Sequence, residues 1–189
     1  MNLVQPSQPA SPATTPWGGR RLPWLLLISA AVVFLDRLTK TLVTARVILG
    51  GAIPVIPHFL RITHWTNEGA AFSLFADTAS PNTVRWGLIA FSLLAAVIVL
   101  VAMVRLGGSI SATTIALALI LGGALGNVHD RIAYGSVVDF IEVNIFGYHW
   151  PDFNIADTSI VTGACLLLLD SLRSKTLESG SGHTTEHTL

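Results

Sequence analysis

Charge is scarce in this chain of 189 residues. Asp, Glu, Lys and Arg make up 12% of it, and 11 acidic side chains balance 11 basic ones. Soluble domains carry about 25% charged residues, and nucleic-acid binders carry a basic field that is missing here. Cysteine is nearly absent. The single Cys165 excludes an internal disulfide and a thiolate zinc cluster, and its place in an apolar run reads as inert packing. No G-x-S-x-G nucleophile elbow and no phosphate loop occurs. The string "HTTEH" at residues 183–187 fits the H-x-x-E-H zinc-protease spacing. It stands in a Gly/Ser tail without the helix, third ligand or buried surroundings that such a site needs, so no metal is assigned to it.

What the chain does have is apolar length. Half of it, 51%, is hydrophobic, and the mean hydropathy is +0.63. The clearest run goes from Trp86 to Val104, 19 residues without a charge between Arg85 and Arg105. As a helix it reaches roughly 28 Å, the thickness of a hydrocarbon core. A second uncharged run covers about residues 110–127, and another about 155–172. The first segment is apolar over residues 22–35 and then meets "DRLTK". "GGRRLPWLLLISAA" also has the make-up of a signal peptide. However, the helical pattern continues past Asp36 to Val43 and no small-residue cleavage site closes the run. A spanning helix over about 23–44 is expected, with Asp36 and Lys40 four apart and able to pair.

The expected fold class is an all-α membrane protein, with four transmembrane helices and a small extracytoplasmic β-sheet. Residues 45–66 and 133–150 are rich in β-branched and aromatic residues and read as strands. The domain organisation is a tail over 1–21, a membrane domain over 22–172 and a second tail over 173–189. The tails are polar and rich in Pro, Ser, Thr or Gly, the composition of disorder. Trp24 and Trp86 stand at helix ends, where interfacial tryptophans belong. Arg20, Arg21, Arg105, Arg173 and Lys175 cluster in short flanks on one side. Arg46, Arg61, Arg85 and Arg131 fall on the other. The positive-inside rule then puts both termini in the cytoplasm.

Two aspartates interrupt apolar surroundings. Asp139 lies in "VVDFIEV" and Asp157 in "FNIADTSI", 18 residues later. Alone, Asp157 reads equally as a helix N-cap, and Asp139 as a strand charge or a partner for Arg131. Together they flank a short excursion that can fold back on itself. Two carboxylates in a low-dielectric site share one proton, which is the acid–base arrangement of aspartic proteases. The neighbours suit a site that holds a peptide backbone. "GGALGNVHDR" puts Asn127, Asp130 and Arg131 at i, i+3 and i+4 of a helix. "TNEGAAFS" supplies Asn67, then Gly69 and small residues. Asn154 stands three before Asp157.

The blocks "DRLTK", "TNEGAAFS", "GGALGNVHDR", "VVDFIEV" and "FNIADTSI", in that order among four apolar segments, resemble bacterial lipoprotein signal peptidase, signal peptidase II. The resemblance covers about residues 22–172. It implies a four-helix inner-membrane aspartyl endopeptidase that needs no cofactor. Such an enzyme removes the signal peptide of prolipoproteins, cutting before a cysteine that already bears a diacylglyceryl group. By that resemblance Asp139 and Asp157 match the catalytic pair, placed at the periplasmic side. Asn67, Asn127, Arg131 and Asn154 match positions that bind substrate or shape the site. Asp36, Lys40 and Asp130 match structural supports. The partners implied are the diacylated precursor and membrane lipid, not nucleic acid. His129 stands where the family's third block has a more apolar or aromatic residue. "TGAC", residues 162–165, is like the substrate motif of the same family but lies inside the last helix, where small residues serve close packing.

Two other classes fit the same aspartates. A proton-coupled carrier would use them as a relay, although carriers tend to show internal repeats and broken helices, and none is visible here. A noncatalytic membrane scaffold would leave the five polar blocks without a role.

Overall fold

The structure is a computed structural model and describes residues 21–69 and 80–181. In chain order the elements are α1 (Leu22–Arg46), β1 (Ala52–Ile56), β2 (Leu60–Asn67), α2 (Pro81–Leu106), α3 (Ala112–Tyr134), β3 (Val137–Ile145), β4 (Tyr148–His149) and α4 (Ile155–Ser181). Among the described residues four helices are long and apolar enough to cross a membrane, and the strands form one antiparallel sheet in the order β1-β2-β3-β4.

Local chemistry sets the helix ends. Ser80 caps α2 by accepting from the Thr83 N–H, with Pro81 in the first turn. Ser111 and Thr114 form a reciprocal capping box at the start of α3. Gly135 stops α3 at φ +86°, a left-handed conformation that suits glycine, and the chain turns into β3. The β3–β4 hairpin turns through Phe146 and Gly147, both at positive φ, as a two-residue turn requires.

α3 is the central helix and packs against the other three. Gly122 lets α1 come close: a Cβ there would sit 2.7 Å from the Ser29 carbonyl oxygen and from Val32 Cβ. The Ser29 hydroxyl donates across the same contact to the Ala118 carbonyl at 2.8 Å. On the other side Gly163 of α4 meets the Ala116 carbonyl in the same way. Small residues at such contacts are how membrane helices gain dispersion contacts, since lipid offers no hydrophobic drive between helices. Leu25, Met103, Leu117 and Leu121 fill the bundle. A second cluster of Val43, Val47 and Phe140 joins the sheet to the end of α1.

The helices are longer than the apolar runs. α2 starts at its Ser80 cap rather than at Trp86, and α3 continues through "GNVHDRIAY". An apolar run measures only the part in hydrocarbon, whereas a helix continues through polar residues that find partners. The expected tail from 173 is corrected in part, because α4 runs on to Ser181. Its sequence there contains no proline to stop it. The amino-terminal tail up to residue 20, residues 182–189 and the zinc-like string within them lie outside the described residues, as do residues 70–79, which include the last four residues of the second block.

Candidate active site

The sheet sits at the end of the bundle where α1 and α3 finish and α2 and α4 begin. There β3 brings Asp139 and the first turn of α4 brings Asp157. After the β3–β4 hairpin the chain doubles back, and Phe153 pairs with Ile141: Phe153 N–H donates to the Ile141 carbonyl at 3.1 Å, and Ile141 N–H returns a bond at 2.8 Å. That bridge delivers Asn154 beside Asp139.

Asn154 is fully buried and touches both aspartates. Its side-chain amide donates to Asp139 Oδ1 at 2.8 Å. Its Oδ1 accepts from the Asp157 N–H at 2.9 Å, while its own N–H donates to Asp157 Oδ2 at 3.3 Å. Asn154 and Asp157 therefore cap α4 reciprocally, three residues apart. The N-cap is Asn154, not Asp157. Asp157 stands inside the first turn, where the positive end of the helix faces its carboxylate.

Each aspartate has a second amide. Asn127 Nδ2 donates to Asp157 Oδ1 at 2.7 Å, and Asn67 Nδ2 donates to Asp139 Oδ2 at 3.0 Å. Asn67 is itself held in an Asx turn, its Oδ1 accepting from the Gly69 N–H at 2.8 Å. Asp139 is 4% exposed. Burial pushes its pKa up to about 6. The bonds from Asn67 and Asn154 and the charge of Lys40 oppose that rise, and the charge of Asp157 adds to it.

A buried charge cluster supports this layer. Lys40 Nζ lies 2.8 Å from Asp36 Oδ2, 2.7 Å from Asp130 Oδ2 and 3.2 Å from Asn127 Oδ1. Asp130 also pairs with Arg37, which donates on to the Tyr134 hydroxyl at 3.0 Å. Two carboxylates and two cations balance, so no net charge is buried. Asp36 Oδ1 accepts the Ala156 N–H at 3.0 Å, so α1 pins the start of α4. Asp36, Lys40 and Asp130 thus stand behind the aspartate pair and hold Asn127 and α4 in register. On the expected common face of α3, Asn127 and Asp130 both meet Lys40 of α1, and Asn127 also reaches Asp157 of α4.

Arg131 lies within electrostatic range of Asp157 and Asp139. Its Nε is buried without a hydrogen-bond partner among the described residues. Arg85 of α2 holds the backbone beneath it, Nε donating to the Arg131 carbonyl at 2.8 Å and Nη2 to the Ile132 carbonyl at 3.0 Å. His129 is half exposed, 3.6 Å from Asp130.

Sequence reasoning passed over three features. In the sequence Arg85 bounds an apolar run and counts among the outer-side basic residues, and its spacing says nothing of α3. Across β2 and β3, Arg61 binds Glu142 through two nitrogens at 2.7 and 2.5 Å, and His149 adds a third contact at 2.7 Å. The bond from Arg61 holds the Glu142 carboxyl below its ordinary range. Trp65, opposite Asp139 in the β2–β3 register, had one usable signal: it stands two before Asn67, and strand residues two apart share a face.

Comparison with known proteins gives a consistent result. The sequence pattern of a family described as "Signal peptidase (SPase) II" matches residues 28–173. A lipoprotein signal peptidase from Paraburkholderia phytofirmans is 42% identical over 163 residues, covering 86% of this chain and 92% of that protein. One from Burkholderia mallei is 40% identical, covering 82% and 91%. A bacterial membrane enzyme solved by the in meso method at 1.9 Å resolution superposes with a TM-score of 0.66. It has 35% identity and covers 84% of this chain and 98% of that one. A second, at 2.3 Å, gives a TM-score of 0.65 with 31% identity, covering 93% and 100%.

Proposed function

The chain belongs to the signal peptidase II family and is a multi-pass membrane peptidase of lipoprotein precursors, and on that premise we propose that Asp139 and Asp157 are its catalytic pair. The observation that carries this reading is Asn154, one buried residue that donates to both carboxylates, from its side-chain amide to Asp139 and from its backbone N–H to Asp157. The carrier alternative finds no support among the relatives, which are named as peptidases.

The chemistry follows from the two environments. Burial raises the proton affinity of Asp139, its pKa pushed up to about 6, and so favours it as the proton carrier of the pair, while Asp157 stands in the first turn of α4 at the positive end of the helix. Asp157 takes a proton from a water molecule as its oxygen attacks the scissile carbonyl. Protonated Asp139 hydrogen-bonds the carbonyl oxygen and stabilises the tetrahedral intermediate. The C–N bond then breaks, the leaving amine takes the proton gathered by Asp157, and the pair returns to its starting state. No covalent enzyme intermediate forms. Asn67 and Asn127 fix the carboxylate orientations, and in this reading the guanidinium of Arg131, whose charge acts on both aspartates, takes a backbone carbonyl of the substrate.

In this reading the signal peptide enters sideways from lipid between the helices. The cysteine at the cut bears a diacylglyceryl group whose chains stay in hydrocarbon. Both termini are cytoplasmic and the sheet lies on the periplasmic side, so water reaches the pair at the membrane boundary. The test supplies a synthetic diacylated precursor to the purified wild type and to Asp139→Asn and Asp157→Asn. Both variants are expected to purify folded and to cleave nothing. Full cleavage by either one refutes the assignment.

A further inference from the structure

We propose that Trp65 is a specificity-determining residue whose indole receives the precursor's side chain at the second or third position after the cut. The inference rests on the peptidase reading above. In the β2–β3 register Trp65 is directly opposite Asp139, and Asn67 is opposite Val137. Directly opposed residues of antiparallel strands project to the same face, and the Asn67–Asp139 bond shows that this face carries the carboxylate. The indole therefore forms the wall beside Asp139.

That wall is open and held in place. Trp65 is 50% exposed, although Asp139 beside it is nearly sealed. The ring edge faces Gly50, where an added Cβ would lie in ordinary contact, 3.6 Å from Cη2 and 3.8 Å from Cζ3. Gly50 has φ +78° and is locked to β2 by a 2.9 Å bond from its N–H to the His64 carbonyl. Among the described residues, the indole is half exposed, with Cη2 and Cζ3 towards Gly50.

The direction of the substrate decides what reaches it. The leader lies among the helices, the cut bond lies at the aspartates, and the rest of the precursor leaves along the sheet. Opposed Cα atoms are about 4.5–5.5 Å apart and an extended chain advances about 3.3 Å per residue, so the indole stands about two residues beyond the bond. An aromatic platform of this kind favours apolar or aromatic side chains. A tryptophan anchored in lipid headgroups would instead act on every substrate alike.

The experiment uses the purified full chain in detergent with two diacylated precursors. One ends as an amide at the lipidated cysteine, and the other continues for a few residues, with leucine in the position after the cysteine. Trp65→Ala is expected to raise KM about ten-fold for the long precursor with kcat unchanged. It should leave the short one untouched, and Trp65→Phe should restore most of the loss. The unchanged short-precursor rate also shows that Trp65→Ala is folded. An equal loss on both precursors, or no loss on either, overturns the proposal. Failure of the wild type to cleave either precursor would refute the peptidase reading itself, and this inference with it.

Discussion

Replacing Asn67 with alanine tests the reasoning about the shared proton. Asn67 donates to Asp139 Oδ2 at 3.0 Å, and that bond is the strongest influence opposing the rise of the Asp139 pKa to about 6. A hydrogen bond to a charged group contributes about 1.5–3 kcal/mol, and 1.36 kcal/mol corresponds to one pKa unit. Water replaces part of the lost bond in a half-buried position, so a rise of about one unit is expected. In the mechanism Asp139 works protonated. Activity therefore falls as pH climbs through this value, and a higher pKa moves the alkaline limb upward. The assay is kcat against pH from acid to alkaline for wild type and Asn67→Ala on one precursor. The whole profile should drop, because the Gly69 N–H also loses its acceptor. Only the position of the limb tests the idea. The limb belongs to the coupled pair rather than to one residue, but its direction of movement is fixed. An unmoved limb, or one displaced to lower pH, refutes the account of how Asp139 keeps its proton.

The same carboxylate has a linked effect on stability. Its folded pKa of about 6 lies above the ordinary 3.8, so stability is lost as pH rises from 3.8 to 6 and stays lower above that, by at most roughly 3 kcal/mol. Asp139→Asn should accordingly gain in melting temperature relative to wild type at pH 7.5, compared with the same difference at pH 3.5. Gly122→Ala places a methyl 2.7 Å from the Ser29 carbonyl and Val32. It should lower stability by about 1–3 kcal/mol, read as a drop in melting temperature in detergent. Ser111→Ala removes one half of the α3 capping box and should cost about 1 kcal/mol in the same assay, with cleavage retained. Cys165→Ala should leave cleavage rates unchanged, since Cys165 is exposed on α4 and has no part in the proposed chemistry.

Much of the molecule was legible in one dimension. A stretch such as residues 86–104 must be helical in hydrocarbon, because every backbone polar group has to be satisfied within it. The alternation in "SVVDFIEV" and the glycine before it announced a strand after a turn. Asp36 and Lys40 were readable as a pair because four residues on a helix fix their separation. By contrast, the partner of Asp130 was not readable. Its position in "NVHDR" puts it near Arg131 along the chain, yet its carboxylate reaches Arg37 and Lys40 on α1. The packing of α1 on α3 at Gly122 sets that choice.

The sequence by itself determined the four spans, the strands between them and the small set of polar residues able to do chemistry, since periodicity and apolar length are local properties of a chain. Only the tertiary structure decided that Phe153 folds back on Ile141, that Asn154 thereby bonds both Asp139 and Asp157, and that Trp65 stands opposite Asp139. Those facts depend on strand register and on the close approach of helices distant in sequence. A shift of one residue in the register would turn every side chain to the other face.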